Sequence, residues 1–94
     1  MSRELVERAE QVAARAYAPY SNYLVGAVVL MTDGREFTGT NVENAAYPLS
    51  QCAEKTAIGA AATAGYRPGD IAVVAVSAAP CGGCRQWLSE WRVP

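Results

Sequence analysis

Apolar positions recur along this chain in distinct rhythms. Between Ser2 and Tyr17, residues Leu5, Val6, Ala9, Val12, Ala13 and Ala16 follow the three- and four-residue spacing of an amphipathic helix, with Glu and Arg on the other face. Ser2 is placed to cap this helix and Pro19 to end it. Leu24 to Met31 is an unbroken apolar run that reads as a buried strand, and Thr32-Asp33-Gly34-Arg35 turns it into a second strand near Glu36 to Asn41. These two strands form an antiparallel pair. The loop-like stretch from Asn41 to Pro48 leads to a helix from about Gln51 to Ala64, capped by Ser50 and closed by Gly65. A Val-rich strand from Ile71 to Ser77 follows; Pro80 and two glycines then turn the chain into a last helix from about Gly83 to Trp91.

The order helix, strand, strand, helix, strand, helix predicts an α/β domain. Its crossover is expected to set the third strand parallel to the first, in a mixed sheet with helices packed on it. The stretch Gly59-Ala60-Ala61-Ala62-Thr63-Ala64-Gly65 has so little side-chain bulk that another element can approach it closely, either inside the fold or in an oligomer.

Composition narrows the possibilities. With 94 residues, 51% of them hydrophobic, the chain has material for one core, and residues 1–94 read as a single domain. Eight Lys or Arg against nine Asp or Glu give a net charge of −1, with no basic footprint for a nucleic-acid polymer. The longest apolar run, eight residues, is far short of the roughly 20 that a membrane helix needs. The charged, periodic N-terminus carries no secretory h-region, so a soluble, cytoplasmic protein is expected. There is no histidine, which removes Ser-His-Asp and Cys-His machinery and every His-containing metal site.

Chemistry then falls to three cysteines and the carboxylates. Cys81-Gly82-Gly83-Cys84 follows a strand and opens a helix; Cys52 sits at the start of another, two residues before Glu54. Both helix starts should emerge at one edge of the sheet, where their positive ends favour thiolates. Three roles compete: small buried hydrophobes, a thioredoxin-like redox pair, and a metal site. Only the metal site uses all three cysteines. Three thiolates leave a tetrahedral zinc with a fourth position for a carboxylate or water, and an open position argues for catalysis, with Glu54 as the proton carrier. Lys55 and Arg85, each directly after a key residue, could offset the excess negative charge.

Cys52-Ala53-Glu54 followed by Pro80-Cys81-Gly82-Gly83-Cys84 resembles the zinc nucleoside deaminases, whose HxE and PCxxC signature has a three-cysteine variant. Tyr17-Ala18-Pro19-Tyr20-Ser21-Asn22-Tyr23, Val25-Gly26-Ala27, Asn41-Val42-Glu43-Asn44-Ala45 and Cys84-Arg85-Gln86 extend the likeness to the small homotetrameric cytidine deaminases, from about Arg8 to Trp91. The resemblance implies a three-layer cytidine-deaminase-like catalytic domain that deaminates cytidine and deoxycytidine to the uracil nucleosides, with release of ammonia, in pyrimidine salvage. It implies one Zn²⁺ per chain on Cys52, Cys81 and Cys84, with Glu54 moving protons. Asn41 and Glu43 would hold the ribose 3′-hydroxyl, the Ala53 backbone would meet the base, and Tyr23 would pack on the pyrimidine where the family usually has Phe. Tyr47 would reach the site of a neighbouring subunit in a homotetramer, and Lys55, Arg85 and Gln86 would support the metal site. Lys55 stands where the family commonly has Arg, and Lys lacks the bidentate fork that steadies two thiolates. The chain ends at Pro94, whereas the resemblance implies further strands in family members, so it reads either as a fragment or as a variant shortened at its C-terminus with an exposed sheet edge. Deamination of a cytosine-bearing antibiotic nucleoside and a non-catalytic zinc scaffold are the alternatives.

Overall fold

A computed structural model of the chain describes residues 2–78 and 82–94; the side chains of 2, 47 and 82–84 lie outside that description. Helix α1 (Ser2–Ala13) leads to strand β1 (Gly26–Met31), the hairpin strand β2 (Glu36–Thr40) and a short 3-10 turn (Tyr47–Leu49). Helix α2 (Ala53–Thr63), strand β3 (Ile71–Val76) and helix α3 (Gly82–Glu90) complete the order expected from the sequence.

The sheet order is β2-β1-β3, with β1 antiparallel to both neighbours. This corrects the expectation of a third strand parallel to the first: the described sheet is antiparallel, not mixed. The reason is directional. The α2 crossover starts from β2, not β1, so β3 takes the direction of β2, and it pairs on the far side of β1. The expected antiparallel first pair is present, with Val28 opposite Thr38 and Val29 opposite Phe37.

Strand alternation divides the core between two faces. Ala27, Val29 and Met31 pack with Ala53, Ala57, Ile58, Ala61 and Ile71, and this cluster takes in Leu88, Trp91 and Val93 from the α3 end of the chain. On the opposite face Val28 packs with Leu5 and Ala9 of α1 and with Ala75. The result is three layers, with α1 below the sheet and α2 and α3 above it.

Two glycines set the layer spacing. A Cβ on Gly26 would lie 2.1 Å from the Ala9 carbonyl oxygen, and one on Gly39 would lie 2.4 Å from the Ala57 nitrogen and 2.5 Å from the Ala53 oxygen. The helix backbones therefore rest directly on the strands. The small residues of α2 are used inside the fold on the Ala53, Ala57, Ala61 stripe, all fully buried. Gly59 faces open space instead.

Element ends depart from the pattern where tertiary bonds intervene. Helix α1 stops at Ala13 rather than Tyr17, because the Tyr17 N–H donates to the Asn41 carbonyl (3.2 Å). The Ser2 cap lies outside the described side chains. Leu24 and Val25 precede β1, since the Val25 N–H donates to Asn41 Oδ1 (2.9 Å) instead of a ladder partner. Gln51 exchanges both backbone bonds with Val42 (2.8 Å each), so α2 begins at Ala53 with Cys52, not Ser50, in the cap position. The Ser50 hydroxyl accepts the Asn44 N–H instead (2.9 Å). The far end of α2 closes as expected. Gly65 adopts φ +105°, and the N–H groups of Gly65 and Tyr66 return to the Ala62 and Ala61 carbonyls.

The hairpin turn is tied to this end of α2. The Tyr66 hydroxyl donates to Asp33 Oδ2 (2.6 Å), and the Tyr66 ring meets Phe37 edge-on at 5.6 Å. Chiefly through the Tyr66 hydroxyl, the Asp33 carboxyl is held below its ordinary pKa, and the Asp33 acceptor in turn raises that of Tyr66.

These contacts yield two predictions. Gly39→Ala should destabilise the fold by about 2–3 kcal/mol, the upper part of the usual overpacking range, which lowers the unfolding midpoint by ~10 °C or more. Gly59→Ala, where nothing lies within 4 Å of the added Cβ, should instead stabilise by about 0.5–1 kcal/mol. Circular-dichroism melts of the two variants check both signs. Tyr66→Phe should lower the midpoint at neutral pH. A carboxyl with a depressed pKa stabilises above its unfolded value and loses this as pH falls through the folded one; a phenol with a raised pKa stabilises below its unfolded value and loses this as pH rises through the folded one. The deficit of Tyr66→Phe should therefore narrow at both acid and alkaline ends of a midpoint-against-pH series.

Candidate active site

Where regular structure stops, four segments meet around a cavity of about 490 Å³. The loop before β1 brings Ser21, Tyr23 and Val25; the continuation of β2 brings Asn41 and Glu43; the start of α2 brings Ser50 to Glu54; and Ala78 follows β3. Of the residues singled out from the sequence, Tyr23, Asn41, Glu43, Cys52, Ala53 and Glu54 therefore share one cavity. Lys55 is half-buried, Arg85 and Gln86 are exposed on α3, and none of the three is among its described lining residues. Cys81 lies outside the described residues, and the side chains of Tyr47 and Cys84 outside the described side chains.

Cys52 is extended, with φ −80° and ψ 157°, and occupies the N-cap of α2; its carbonyl accepts both the backbone N–H and the hydroxyl of Thr56. Its thiol thus stands at the positive end of a helix dipole, which favours thiolate. Glu54, in the first turn, is only 3% exposed. A lone Glu in a first helical turn is ordinarily solvated, so its burial here is a feature of the tertiary packing. Its Oε2 has no hydrogen-bond partner among the described residues. A buried carboxylate oxygen without a donor is costly, and its position on a cavity wall marks where a ligand, cation or water supplies what the protein does not. That orphaned acceptor, beside a cysteine at a helix cap, fits a thiolate-held metal with an acid-base group next to it.

Glu43 and Asn41 have the opposite environment. Glu43 Oε1 accepts the N–H groups of Tyr20 (3.0 Å) and Ser21 (3.1 Å), while Oε2 accepts the Ser21 hydroxyl. That hydroxyl first, and then the two N–H groups, hold the Glu43 carboxyl below its ordinary pKa, so it is an anion at neutral pH. Asn41 receives the Val25 N–H on Oδ1 (2.9 Å) and donates from Nδ2 to the Tyr23 carbonyl (2.8 Å). Both side chains pin the loop that carries Tyr23, whose ring is 63% exposed at the mouth. Ser21, Ser50 and Gln51 line the cavity although the sequence reading gave them no role there. A signal for Ser21 exists in its two-residue spacing to Tyr23, typical of a serine that bonds a nearby backbone N–H.

A family profile described as "Cytidine and deoxycytidylate deaminase zinc-binding region" matches residues 1–94. The cytidine deaminase of Halalkalibacterium halodurans is 45% identical over 92 residues, which cover 92% of this chain and 68% of that protein. That of Mycobacterium tuberculosis is 48% identical over 86 residues, covering 87% of this chain and 65% of its own length. The chain thus spans about two thirds of the length of these curated relatives. Among solved structures, cytidine deaminase from Burkholderia pseudomallei superposes with a TM-score of 0.92 at 48% identity, covering 97% of this chain and 76% of that one. With a profile matched from end to end and a fold shared at nearly half identity, this chain belongs to the cytidine and deoxycytidylate deaminase family and carries its zinc-binding region.

Proposed function

We propose that the chain is a zinc-dependent hydrolytic deaminase that converts cytidine and deoxycytidine to uridine and deoxyuridine, releasing ammonia. The observation that carries this is the buried Glu54 oxygen, without a partner among the described residues, on the wall of the cavity that also holds Cys52, Asn41 and Glu43. Cys52, Cys81 and Cys84 would hold one zinc ion, which when bound would supply the Lewis acidity that makes water a competent nucleophile near neutral pH. Glu54 would take the first proton of that water and deliver it to ring N3, then take the second, from the hydroxyl added at C4, and deliver it to the amine, which leaves as ammonia. The absence of a partner on its Oε2 among the described residues suits this task, since a saturated carboxylate has no free site for a travelling proton. Asn41 and Glu43 hold the sugar 3′-hydroxyl, the Ala53 backbone meets the base, and the Tyr23 ring covers the pyrimidine. Lys55, Arg85 and Gln86 support the thiolates.

The comparisons support the activity through the named relatives, and the absence of a helix long and apolar enough to cross a membrane among the described residues fits a cytoplasmic salvage enzyme. Residues 1–94 form one catalytic domain, which works as a homotetramer with Tyr47 reaching a neighbouring site.

Incubation of the zinc-quantified protein with cytidine should deplete cytosine absorbance and release ammonia in step, and chelation should stop both. Zinc fully bound with no ammonia would overturn the catalytic reading in favour of a non-catalytic scaffold. Glu54→Gln should keep its zinc and lose about 10²–10⁴ in kcat, the usual contribution of general acid-base catalysis; an unchanged rate removes Glu54 from the mechanism. Lys55→Ala should slow turnover, and equal or faster turnover would deny Lys55 a supporting role.

A further inference from the structure

We propose that Ser21 is a positioning residue for nucleoside recognition, whose hydroxyl fixes the Glu43 carboxylate so that an entering sugar hydroxyl meets one oriented acceptor. The inference rests on the reading of the cavity as a nucleoside site.

The hydrogen-bond inventory around Ser21 leaves little freedom. The Tyr23 N–H donates to Ser21 Oγ at 3.0 Å, and an ionised carboxylate has no proton to give, so the Ser21 O–H is directed at Glu43 Oε2. Glu43 Oε1 is occupied by two backbone N–H groups, from Tyr20 and Ser21. A carboxylate offers about four acceptor sites. Among the described residues three are filled, and the fourth, on Oε2, is left for a ligand.

The same hydroxyl also holds the main chain of Tyr23. Its N–H is fixed by Ser21 and its carbonyl by Asn41 Nδ2, so the residue at the cavity mouth is anchored on both sides. Between them Asn22 adopts φ +59°, a left-handed conformation that asparagine tolerates better than most residues and that needs such anchoring to persist. Loss of the Ser21 hydroxyl would leave the Oε1 bonds in place, and Tyr23 still held through its carbonyl by Asn41, but would free Oε2 from its only described internal donor. The expected defect is therefore in recognition of the sugar, not in the chemical step.

The test compares the parent chain, Ser21→Ala and Ser21→Thr, with cytidine and 3′-deoxycytidine as substrates and calorimetric binding of uridine alongside. Ser21→Ala should raise KM for cytidine about tenfold, in line with loss of a hydrogen bond to a charged group, while kcat stays within twofold. For 3′-deoxycytidine, which lacks the hydroxyl that Glu43 would accept, the variant and the parent should differ less than twofold. Ser21→Thr, which keeps a hydroxyl, should restore the parent KM. Equal losses on both substrates would show that Ser21 merely holds the loop, and no loss on cytidine would deny it any role; either overturns the proposal. If the parent binds uridine without deaminating cytidine, the deaminase reading fails. A tenfold weaker uridine affinity in Ser21→Ala would then still uphold the role of Ser21, and unchanged affinity would overturn it. A parent that binds no uridine overturns both.

Discussion

No side chain stands between β2 and α2 at Gly39, and the position of the whole catalytic edge depends on that contact. The Ala53 carbonyl and the Ala57 nitrogen lie so near the strand that even a methyl group would collide with backbone. The first turn of α2, which presents Cys52, Ala53 and Glu54, is thereby held at the smallest helix-to-sheet distance the chain permits. Asn41 follows Gly39 by two residues, so the spacing that packs the helix is also the spacing between the thiol side of the cavity and its sugar side. The alanines at 53, 57 and 61 are the complementary condition, since larger side chains there would lift the helix off the strand. Gly26 does the same for α1 on the opposite face, which leaves the sheet clamped between two helix backbones.

The cavity forms where this clamped core ends and backbone groups no longer have ladder partners. Such groups must be satisfied by other means. Here Asn41 serves the Tyr23 and Val25 backbone, Glu43 serves Tyr20 and Ser21, and Ser50 serves Asn44. Polar side chains that bind backbone in this way are rigid before any ligand arrives, which reduces the ordering cost of recognition. Capping of the backbone and the proposed binding roles of Asn41 and Glu43 are therefore compatible, because the same bonds fix the orientation of each side chain.

Local chemistry made much of this legible. The hairpin turn, the closure of α2 at Gly65 and the succession of elements follow from residues close together in the chain, and Cys52-Ala53-Glu54 pointed to the start of α2. What the pattern did not carry was decided by distant partners. The end of α1 depends on Asn41 capturing the Tyr17 N–H, and the start of α2 depends on Gln51 pairing with Val42. Whether β3 pairs in parallel or antiparallel fashion depends on which edge of the hairpin it joins, which its Val-rich composition does not encode. The burial of Glu54 was hidden for a similar reason, because a carboxylate in a first helical turn carries no local sign of the tertiary packing around it.

Two carboxylates in one cavity, Glu43 and Glu54, illustrate how environment separates roles that the residue type leaves open. Glu43 is surrounded by donors on both oxygens, which favours the anion and fixes its direction, as a binding acceptor requires. Glu54 is withdrawn from water with one oxygen left unpaired among the described residues, an arrangement that stabilises nothing in the folded chain by itself. A fold tolerates such a group when the surrounding packing is strong enough to impose it. The difference between the two carboxylates thus has one cause: how many hydrogen-bond donors the described residues place within reach of each, three on Glu43 and none on Glu54 Oε2.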